Sequence, residues 1–337
     1  MKAAVIGCGR MGLRHIQALT EMGSKIVGIH DAVPQATNGA IKQFNLGEIA
    51  FNSFEGLLSE TKPELVVIAT TAPSHRQYIE QSIEHGVKYI LCEKPLSVSI
   101  ADCESILAMS KQHKANVAVN HQMRFLEQYI KPKALAVSKE FGGLACINVT
   151  AGNFGMAMNG THYFEMARFM FDEYPKKICA WFGQDDLSNP RGAQFMDKSG
   201  SVRMETKSGK RFYLDASADQ GHGLLVNYVC KFGQIFVDEL SGDLRYTRRQ
   251  DEFQDLPTTR YGQPSIIVDE KINAVDIIES TKAVITALIS GSGYPSIEDS
   301  MYAVRTLVAA YVSNENNHIE IDIESNDLPK ERVFPWA

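Results

Sequence analysis

The sequence lacks several features that mark other classes of protein. Its 337 residues contain no apolar run that approaches the roughly 18 residues of a membrane span. The formal net charge is −6, and a general role in nucleic-acid binding is excluded because it would need a basic face. A small basic cluster, Arg245, Arg248 and Arg249, is offset by acidic residues at positions 251, 252 and 255, which indicates a solvated strand edge.

Paired cysteines are also missing. The six cysteines are widely and irregularly spaced, none forms a CxxC pair, and most lie in apolar runs. This distribution favours buried thiols in a reducing compartment over disulfides or a zinc site, and we expect no bound metal. A strand begins directly after Met1 and Lys2, which leaves no room for a signal peptide, so we expect a cytoplasmic protein. There is no internal repeat and no low-complexity tract.

The length of the chain predicts two globular domains, because 337 residues are too many for one ordinary hydrophobic core. In the first part, short and nearly continuous apolar runs alternate with stretches of helical length. The runs lie at 3–6, 26–29, 65–69, 89–92 and 117–119, and the helical stretches at 11–22, 35–44, 74–85 and 100–113. Such runs suit parallel strands covered on both faces, so residues 1–123 are predicted to form an α/β Rossmann domain with a doubly wound parallel sheet.

The pattern changes after Arg124. A helical connector at 127–141 precedes half-buried alternating strands at 145–150, 178–182, 202–206, 212–218, 226–230 and 235–240. Ser208-Gly209-Lys210 and Phe232-Gly233-Gln234 are predicted to close two hairpins. Two helices follow, the second opened by a capping box of Ser296 and Asp299, and then a last strand at 319–323.

Residues 124–337 are therefore predicted to form an α+β domain for substrate binding and oligomerisation, with an open-faced, mainly antiparallel sheet. Its C-terminal helices are able to pack back on the first domain. The few helices of this half cannot cover one apolar face of the sheet, and large exposed patches usually mark an interface. We therefore expect a homodimer or a homotetramer.

The run GCGRMG at 7–12 follows a predicted strand and opens a predicted helix, which is the context that a dinucleotide site requires. Gly7 allows the tight turn, Gly9 lets the backbone approach the pyrophosphate, and Gly12 lets helix and strand pack closely. Asp31 ends the second strand, 24 residues after Gly7 (31 − 7), where it can accept both ribose hydroxyls and repel a 2′-phosphate. The predicted cofactor is therefore NAD, with NADP disfavoured.

A further strand end adds to the predicted cofactor site. The segment 70–75 follows a buried strand and offers small hydroxylated residues to a ligand, although Ser74 could instead cap the next helix. His75 alone would more often be structural. The predicted cofactor-binding residues are Gly7, Cys8, Gly9, Arg10, Met11, Gly12, Asp31, Thr70, Thr71, Pro73, His75, Glu93, Lys94 and Gln122.

Lys94 is the first candidate for chemistry. Glu93-Lys94-Pro95 ends the strand at 89–92, so Lys94 projects from the carboxyl edge of the sheet toward the nicotinamide end of a bound cofactor, and Pro95 fixes the turn, with a cis peptide as one form. Desolvation and the nicotinamide cation would lower the pKa of its ammonium group, and the free amine could then take the hydroxyl proton of an alcohol. Taken alone, a Lys-Pro at a strand end is also an ordinary turn.

His162 is the second candidate. Gly160 and Thr161 place it in the first turn of a helix, where it could contact substrate or carry a proton; its spacing with Met166 and Phe169 also suits a buried structural histidine. The predicted substrate-binding residues are Lys94, Arg124, Asn159, Thr161, His162 and Tyr163. Further polar candidates are His121, Arg191, Gln194 and His222, of which Arg191 could meet an anion or be a solvated loop residue.

These motifs together resemble the glucose–fructose oxidoreductase/inositol dehydrogenase (Gfo/Idh/MocA) family. The resemblance runs from end to end, through GCGRMG, Asp31, ATTAPSH, the EKP triplet, NHQMRF at 120–125, the His162 helix and YPSIEDSMYAVRTLVAAY. It implies a Rossmann domain followed by a domain with an open antiparallel sheet that often forms an oligomer interface. It also implies that Lys94 is the catalytic acid/base, that His162 binds or helps to deprotonate the substrate, and that the substrate is a sugar, a polyol or a related derivative.

One position departs from the family pattern. Many members carry Asp four residues before the histidine, and here that residue is Met158, so Asn159, Thr161 or Glu165 would have to substitute for it. The leading hypothesis is NAD-dependent hydride transfer at a secondary alcohol or ketone of a sugar, polyol or nucleotide-sugar-like substrate. The alternatives are an NAD-dependent eliminase or glycoside-cleaving enzyme with transient redox, and a non-catalytic dinucleotide-sensing regulator.

Overall fold

A computed structural model describes residues 1–273 and 275–337. The described chain divides into two compact units. The first comprises residues 1–122, 276–304 and 329–337, and the second comprises residues 123–275 and 305–328. Both units are thus discontinuous in sequence, whereas the domains expected from the sequence were the continuous ranges 1–123 and 124–337. No helix among the described residues is long and apolar enough to span a membrane.

The first unit is built on five parallel strands connected mainly by helices. In chain order its elements are β1 (Lys2–Ile6), α1 (Arg10–Glu21), β2 (Lys25–His30), α2 (Pro34–Phe44), α3 (Phe54–Thr61), β3 (Leu65–Ile68), α4 (His75–Glu84), β4 (Tyr89–Cys92), α5 (Ile100–His113) and β5 (Asn116–Val119). The strand order is β2-β1-β3-β4-β5, so the chain reverses its direction of travel between β1 and β3. This confirms the predicted Rossmann sheet.

All five strands end at one edge of this sheet. The register pairs Ile6 with His30 and Ile68, Ile68 with Cys92, and Cys92 with Val119. Because these strands are parallel, the loops that follow each of them lie along the same carboxyl edge. In open α/β sheets this edge, near the reversal point, is where ligands bind.

Distant segments complete the first unit. The helix α8 (Ile277–Ser290) is capped by Asp276, whose carboxylate accepts the N–H groups of Ile278 and Glu279, and Lys282 Nζ lies 2.9 Å from a carboxylate oxygen of Glu21 on α1. The segment 329–337 returns to the same unit, where the Phe334 N–H donates to the Val98 carbonyl.

The second unit is built around a nine-stranded sheet. Its elements are α6 (Glu127–Val137), β6 (Leu144–Ala151), α7 (Thr161–Phe171), β7 (Pro175–Phe182), β8 (Gly200–Thr206), β9 (Arg211–Asp215), β10 (Leu224–Cys230), β11 (Gly233–Asp238), β12 (Asp243–Arg249), β13 (Ser265–Lys271) and β14 (Ile321–Asp322). The helix α9 (Ile297–Glu315) crosses the boundary between the units in sequence. The strand order is β13-β12-β11-β10-β6-β9-β8-β7-β14, antiparallel except for the β6–β9 pair.

One face of the nine-stranded sheet is open, as expected from the alternating strands. The register places five large side chains on this face, and each is between 38% and 54% exposed. They are Trp181, Tyr213, Leu225, Phe236 and Ile267. The opposite face carries the buried residues of the same strands, including Ile147, Phe212, Val226 and Ile235.

The local predictions hold with some corrections. Both expected hairpins form, as β8–β9 and β10–β11, and Ser296 and Asp299 make the reciprocal contacts of a capping box. The connector helix ends at Val137 rather than 141, and the last strand shrinks to Ile321–Asp322. The prediction omitted α3, β12 and β13, because their polar and mixed sequences carry weak periodic signals.

The interpretation of the basic cluster as a solvated strand edge was wrong. The strand β12 lies inside the sheet, between β11 and β13. The Arg249 guanidinium donates to the carbonyl oxygens of Phe253, Leu256, Pro257 and Arg260 at 2.8–3.4 Å. Arg249 therefore anchors the loop between β12 and β13, while Arg248 pairs with Asp251 at 2.6 Å.

Candidate NAD-binding and active site

The glycine loop between β1 and α1 has the geometry that a bound pyrophosphate needs. Gly7 has a φ of +87°, and a Cβ there would lie 2.6 Å from the Ala69 carbonyl oxygen. A Cβ on Gly12 would lie 1.8 Å from the Gly7 carbonyl oxygen, so glycine is required at both positions. Gly9 faces open space and no side chain caps α1, so the helix N-terminus is left available to an anion.

Asp31 follows β2 and reaches back to the glycine loop. Its Oδ2 accepts the Cys8 N–H at 2.7 Å, and its Oδ1 accepts the Val33 N–H at 2.8 Å. These bonds fix the orientation of the carboxylate while leaving lone pairs for ribose hydroxyls. Burial, and then the charge of Asp31, raises the pKa of the Cys8 thiol to about 12, so this thiol stays neutral.

The loop after β3 is tied together by its own side chains. The alternative interpretation of Ser74 as a cap of α4 was wrong, because its side chain makes no capping bond. Its hydroxyl donates to the Thr71 carbonyl at 2.9 Å and lies 2.8 Å from Thr70 Oγ1. His75 is fully buried, with Nδ1 2.9 Å from the Pro95 carbonyl oxygen and Nε2 3.1 Å from that of Thr70. Burial lowers the pKa of His75, which favours the neutral ring. A neutral imidazole has one N–H, so His75 donates to only one of these two carbonyl oxygens, which belong to the loops after β3 and β4.

Glu93 lies after β4, beside Lys94, in a buried polar network that the sequence prediction missed. His15 Nε2 on α1 is 2.7 Å from Glu93 Oε1, and Asn120 Nδ2 after β5 donates to the same oxygen at 2.8 Å. Burial alone would raise the pKa of Glu93, but the bonds from His15 and Asn120 and nearby positive charge, including Lys94, lower it to about 2. Because an ionised carboxylate only accepts, His15 Nε2 is the donor.

The network extends along the carboxyl edge. Asn120 Nδ2 also lies 3.0 Å from Gln122 Oε1, which receives the Thr281 hydroxyl of α8 at 3.4 Å. Two buried atoms of the network, His15 Nδ1 and Asn120 Oδ1, have no hydrogen-bond partner among the described residues. The available signal in the sequence was the position of His15, on the inner face of α1 one turn beyond Met11.

Lys94 and Pro95 are joined by a cis peptide bond, one of the forms expected at this turn. Lys94 is partly exposed, at the edge where the glycine loop, Asp31 and the loop after β3 also lie. The first unit therefore gathers the predicted cofactor contacts and the predicted acid/base along one edge of its sheet.

In the second unit, His162 is the second residue of α7 and is partly exposed. A single π-helical turn, Met156–Gly160, leads directly into α7. The Thr161 side chain is buried, and its hydroxyl donates to the Ala157 carbonyl at 3.0 Å. Irregular turns of this kind are frequent at functional sites.

Two other predicted substrate contacts are engaged within the second unit. Arg124 and Arg168 both donate to Oε1 of the buried Glu165, so Glu165 already has cationic partners. The Tyr163 hydroxyl donates to Glu239 Oε2 at 2.9 Å, and the Tyr129 hydroxyl donates to Glu239 Oε1. Burial raises the pKa of Glu239 to about 7, although both phenol bonds oppose the rise.

The remaining polar candidates are dispersed. His121 is buried after β5, whereas Arg191, Gln194 and His222 are exposed on loops of the second unit. Their exposure gives no reason to include Arg191, Gln194 and His222 in the candidate site.

The sheet order, the glycine loop and the placement of Asp31 define the class of this protein as a dinucleotide-binding protein of the Rossmann type. A match with a known protein family narrows this class. The model of the oxidoreductase family with an NAD-binding Rossmann fold (Gfo/Idh/MocA) matches residues 1–121. Over these residues the chain is similar to that family; the protein is an oxidoreductase, and its cofactor is NAD.

Two named relatives are similar over longer stretches. The inositol 2-dehydrogenase of Burkholderia lata is 25% identical over 264 residues, covering 72% of each chain. The D-apiose dehydrogenase of Paraburkholderia graminis is 29% identical over 197 residues, covering 53% of this chain and 52% of the relative. An oxidoreductase from Agrobacterium radiobacter, solved with NAD+, L-tartaric acid and magnesium, shares the fold with a TM-score of 0.78 at 20% identity, over 96% of this chain and 98% of the other.

Proposed function

We propose that this protein is an NAD-dependent dehydrogenase that interconverts a secondary alcohol and a ketone of a sugar or polyol. The observation that carries the proposal is the common carboxyl edge of the first sheet, where the glycine loop, Asp31 and Lys94 all follow strand ends in register. The names of the two relatives, which act on inositol and on D-apiose, support this substrate class.

The residues present fit NAD. The uncapped start of α1 and the open space at Gly9 would receive the pyrophosphate, and Asp31 would accept the hydroxyls of the adenosine ribose. When bound, NAD supplies the hydride acceptor for the alcohol carbon.

In this proposal Lys94 is the acid/base and His162 assists it. The Lys94 amine takes the hydroxyl proton as the alcohol is oxidised and returns it in the reverse direction. Glu93 keeps a fixed negative charge next to Lys94 in sequence, held by His15 and Asn120. His162, in the first turn of α7, binds the substrate or carries the proton onward.

A screen of substrates tests the proposal. Purified protein would be incubated with NAD and free sugars, polyols, uronic acids or nucleotide sugars, and NADH absorbance would be recorded. We expect NADH to accumulate with at least one sugar or polyol. Product without net NADH would instead indicate elimination or glycoside cleavage with transient redox. Binding of NAD without turnover on any substrate would contradict the proposal and favour a regulator.

We also propose that the protein is a homodimer or a homotetramer. The open face of the nine-stranded sheet, which carries Trp181, Tyr213, Leu225, Phe236 and Ile267, would form the interface between copies. Aromatic and aliphatic side chains gathered on one face are typical of such contacts, because their burial is favourable.

A further inference from the structure

A carboxylate from a distant loop holds the turn that precedes His162. Asp197 is 1% exposed, and it lies 40 residues beyond Ala157 in sequence. Its Oδ1 accepts the Ala157 N–H and its Oδ2 accepts the Met158 N–H, both at 2.9 Å. The Met156 N–H donates to the carbonyl of the next residue, Lys198, at 2.8 Å. The first N–H groups of the turn are therefore satisfied by residues 197 and 198.

This arrangement replaces an ordinary helix cap. The residue at the cap position, Gly155, has no side chain with which to satisfy these groups. A Cβ at Gly155 would lie 1.9 Å from Asp197 Oδ2, so glycine leaves the space that the carboxylate occupies. Gly155 has a φ of −70°, which any residue adopts, and its requirement for glycine therefore comes from Asp197 rather than from the backbone. The two residues therefore depend on each other: the Asp197 carboxylate can bind the turn only if residue 155 has no side chain.

We infer that Asp197, in the loop at 183–199, is the positioning residue for His162, because it holds the backbone of the turn that leads into the helix of His162. The inference rests on the function proposed above. Bonds from N–H groups to a carboxylate are stronger than neutral ones, and an anion at the start of a helical segment is favourable. Asp197 thereby fixes the turn 156–160, and with it the orientation of Asn159 within the turn and of His162 two residues beyond it.

A double-mutant cycle tests this assignment. Asp197→Ala removes the carboxylate, whereas Gly155→Ala keeps the charge and displaces it. Each should lower kcat about 10–100-fold, since small misplacements of a reacting group are costly, and the dissociation constant for NADH should stay within about two-fold of the unmodified protein. The double variant should lose no more than Asp197→Ala, because the contact that Gly155→Ala breaks is already absent. Asp238→Asn is the matched control, since Asp238 also accepts two backbone N–H groups, at 2.9 and 3.2 Å.

A second measurement needs no substrate. Hydrogen exchange of the peptide that contains residues 156–162 should be faster in both single variants and unchanged in Asp238→Asn. Unchanged exchange, kcat within about two-fold of the unmodified protein, or losses that multiply in the double variant would each overturn the inference. If the unmodified protein has no turnover at all, the proposed function fails, and the exchange data still decide whether Asp197 holds the turn.

Discussion

His15 and Glu93 form a buried pair whose atoms Nε2 and Oε1 lie 2.7 Å apart, although 78 residues separate them in sequence. His15 belongs to the helix that begins at the glycine loop, and Glu93 directly precedes Lys94. The pair therefore joins the helix that follows the glycine loop to the segment that carries the proposed proton carrier.

Removing one partner of this pair is expected to destabilise the first unit strongly. His15→Ala leaves the buried Glu93 carboxylate with Asn120 as its remaining side-chain donor, and breaking a buried pair in this way costs about 3–5 kcal/mol. Urea denaturation followed by circular dichroism measures the change. The control is Arg76→Ala, which breaks a half-exposed pair with Glu80 and Asp102 and should cost at most about 1 kcal/mol. Equal costs for the two variants would contradict this account.

Asp31 should determine the choice between NAD and NADP. The unmodified protein is expected to bind NADH more tightly than NADPH, because the carboxylate accepts ribose hydroxyls and repels a 2′-phosphate. Asp31→Ser should shrink the preference, and Asp31→Asn, which keeps the shape but removes the charge, should do the same. Calorimetric titration with both cofactors measures it. Equal or reversed affinity in the unmodified protein would refute the assignment.

Lys94→Ala should bind NAD almost normally, because the proposal assigns the phosphate and ribose contacts to the glycine loop and Asp31. Turnover should fall by roughly 10²–10⁴, which is about 3–5 kcal/mol of activation free energy. Lys94→Arg should restore little, since a guanidinium stays charged near neutral pH.

His162→Ala should also lower turnover. The Lys94→Ala/His162→Ala double variant should lose less than the product of the two single losses if the residues share one proton path. Steady-state kinetics on a substrate from the screen provide the test. Near-normal turnover of Lys94→Ala would disprove the proposed mechanism, and it would leave the description of the fold unaffected.

Glu239 should make stability depend on pH in a direction opposite to that of most carboxyl groups. Burial raises its pKa from 4.5 to about 7 in the folded state, so the folded protein holds this proton more tightly than the unfolded chain. The favourable contribution is fully present below about pH 4.5 and is lost as the pH rises to about 7, amounting to about 3 kcal/mol. The neighbouring Tyr129, Tyr163 and Tyr228 have raised pKa values and Asp238 a lowered one, so none of them titrates in this window.

Glu239→Gln tests this effect, because it keeps the shape of the side chain without its titration. The unfolding free energy of Glu239→Gln relative to the unmodified protein should increase by about 3 kcal/mol between pH 4.5 and pH 8. Taking the difference between the two proteins cancels the titration of other groups. A difference that does not change with pH would show that Glu239 does not titrate in this range.

The open sheet face should control assembly. Light scattering at micromolar concentration is expected to give a dimer or a tetramer of the 37.4 kDa chain. Phe236→Asp/Tyr213→Asp should shift the protein toward the monomer, because both changes place charge on that face. Val333→Asp, a change at an exposed apolar residue of the first unit, should leave assembly unchanged. A monomeric unmodified protein would contradict the proposal.

The features that the sequence predicted well are those that depend on neighbouring residues in the chain. Continuous apolar runs such as 65–68 predict buried parallel strands, and the glycine pattern at 7–12 has a fixed geometric meaning. The contacts that were missed join distant segments, as Asp197 does with Ala157, and no local pattern records them. A π-helical turn such as Met156–Gly160 has no periodicity of its own that sequence could reveal.

The segment 329–337 has a consequence for how the protein is made. Trp336 is fully buried in the first unit, the Ala101 N–H donates to the Lys330 carbonyl, and Lys330 pairs with Glu104. When residues 1–122 have been synthesised, the Rossmann sheet therefore still lacks α8 and these anchoring residues. The first unit acquires its full set of packing contacts only after residues 123–328 have been made, so its folding is completed late relative to its position at the start of the sequence.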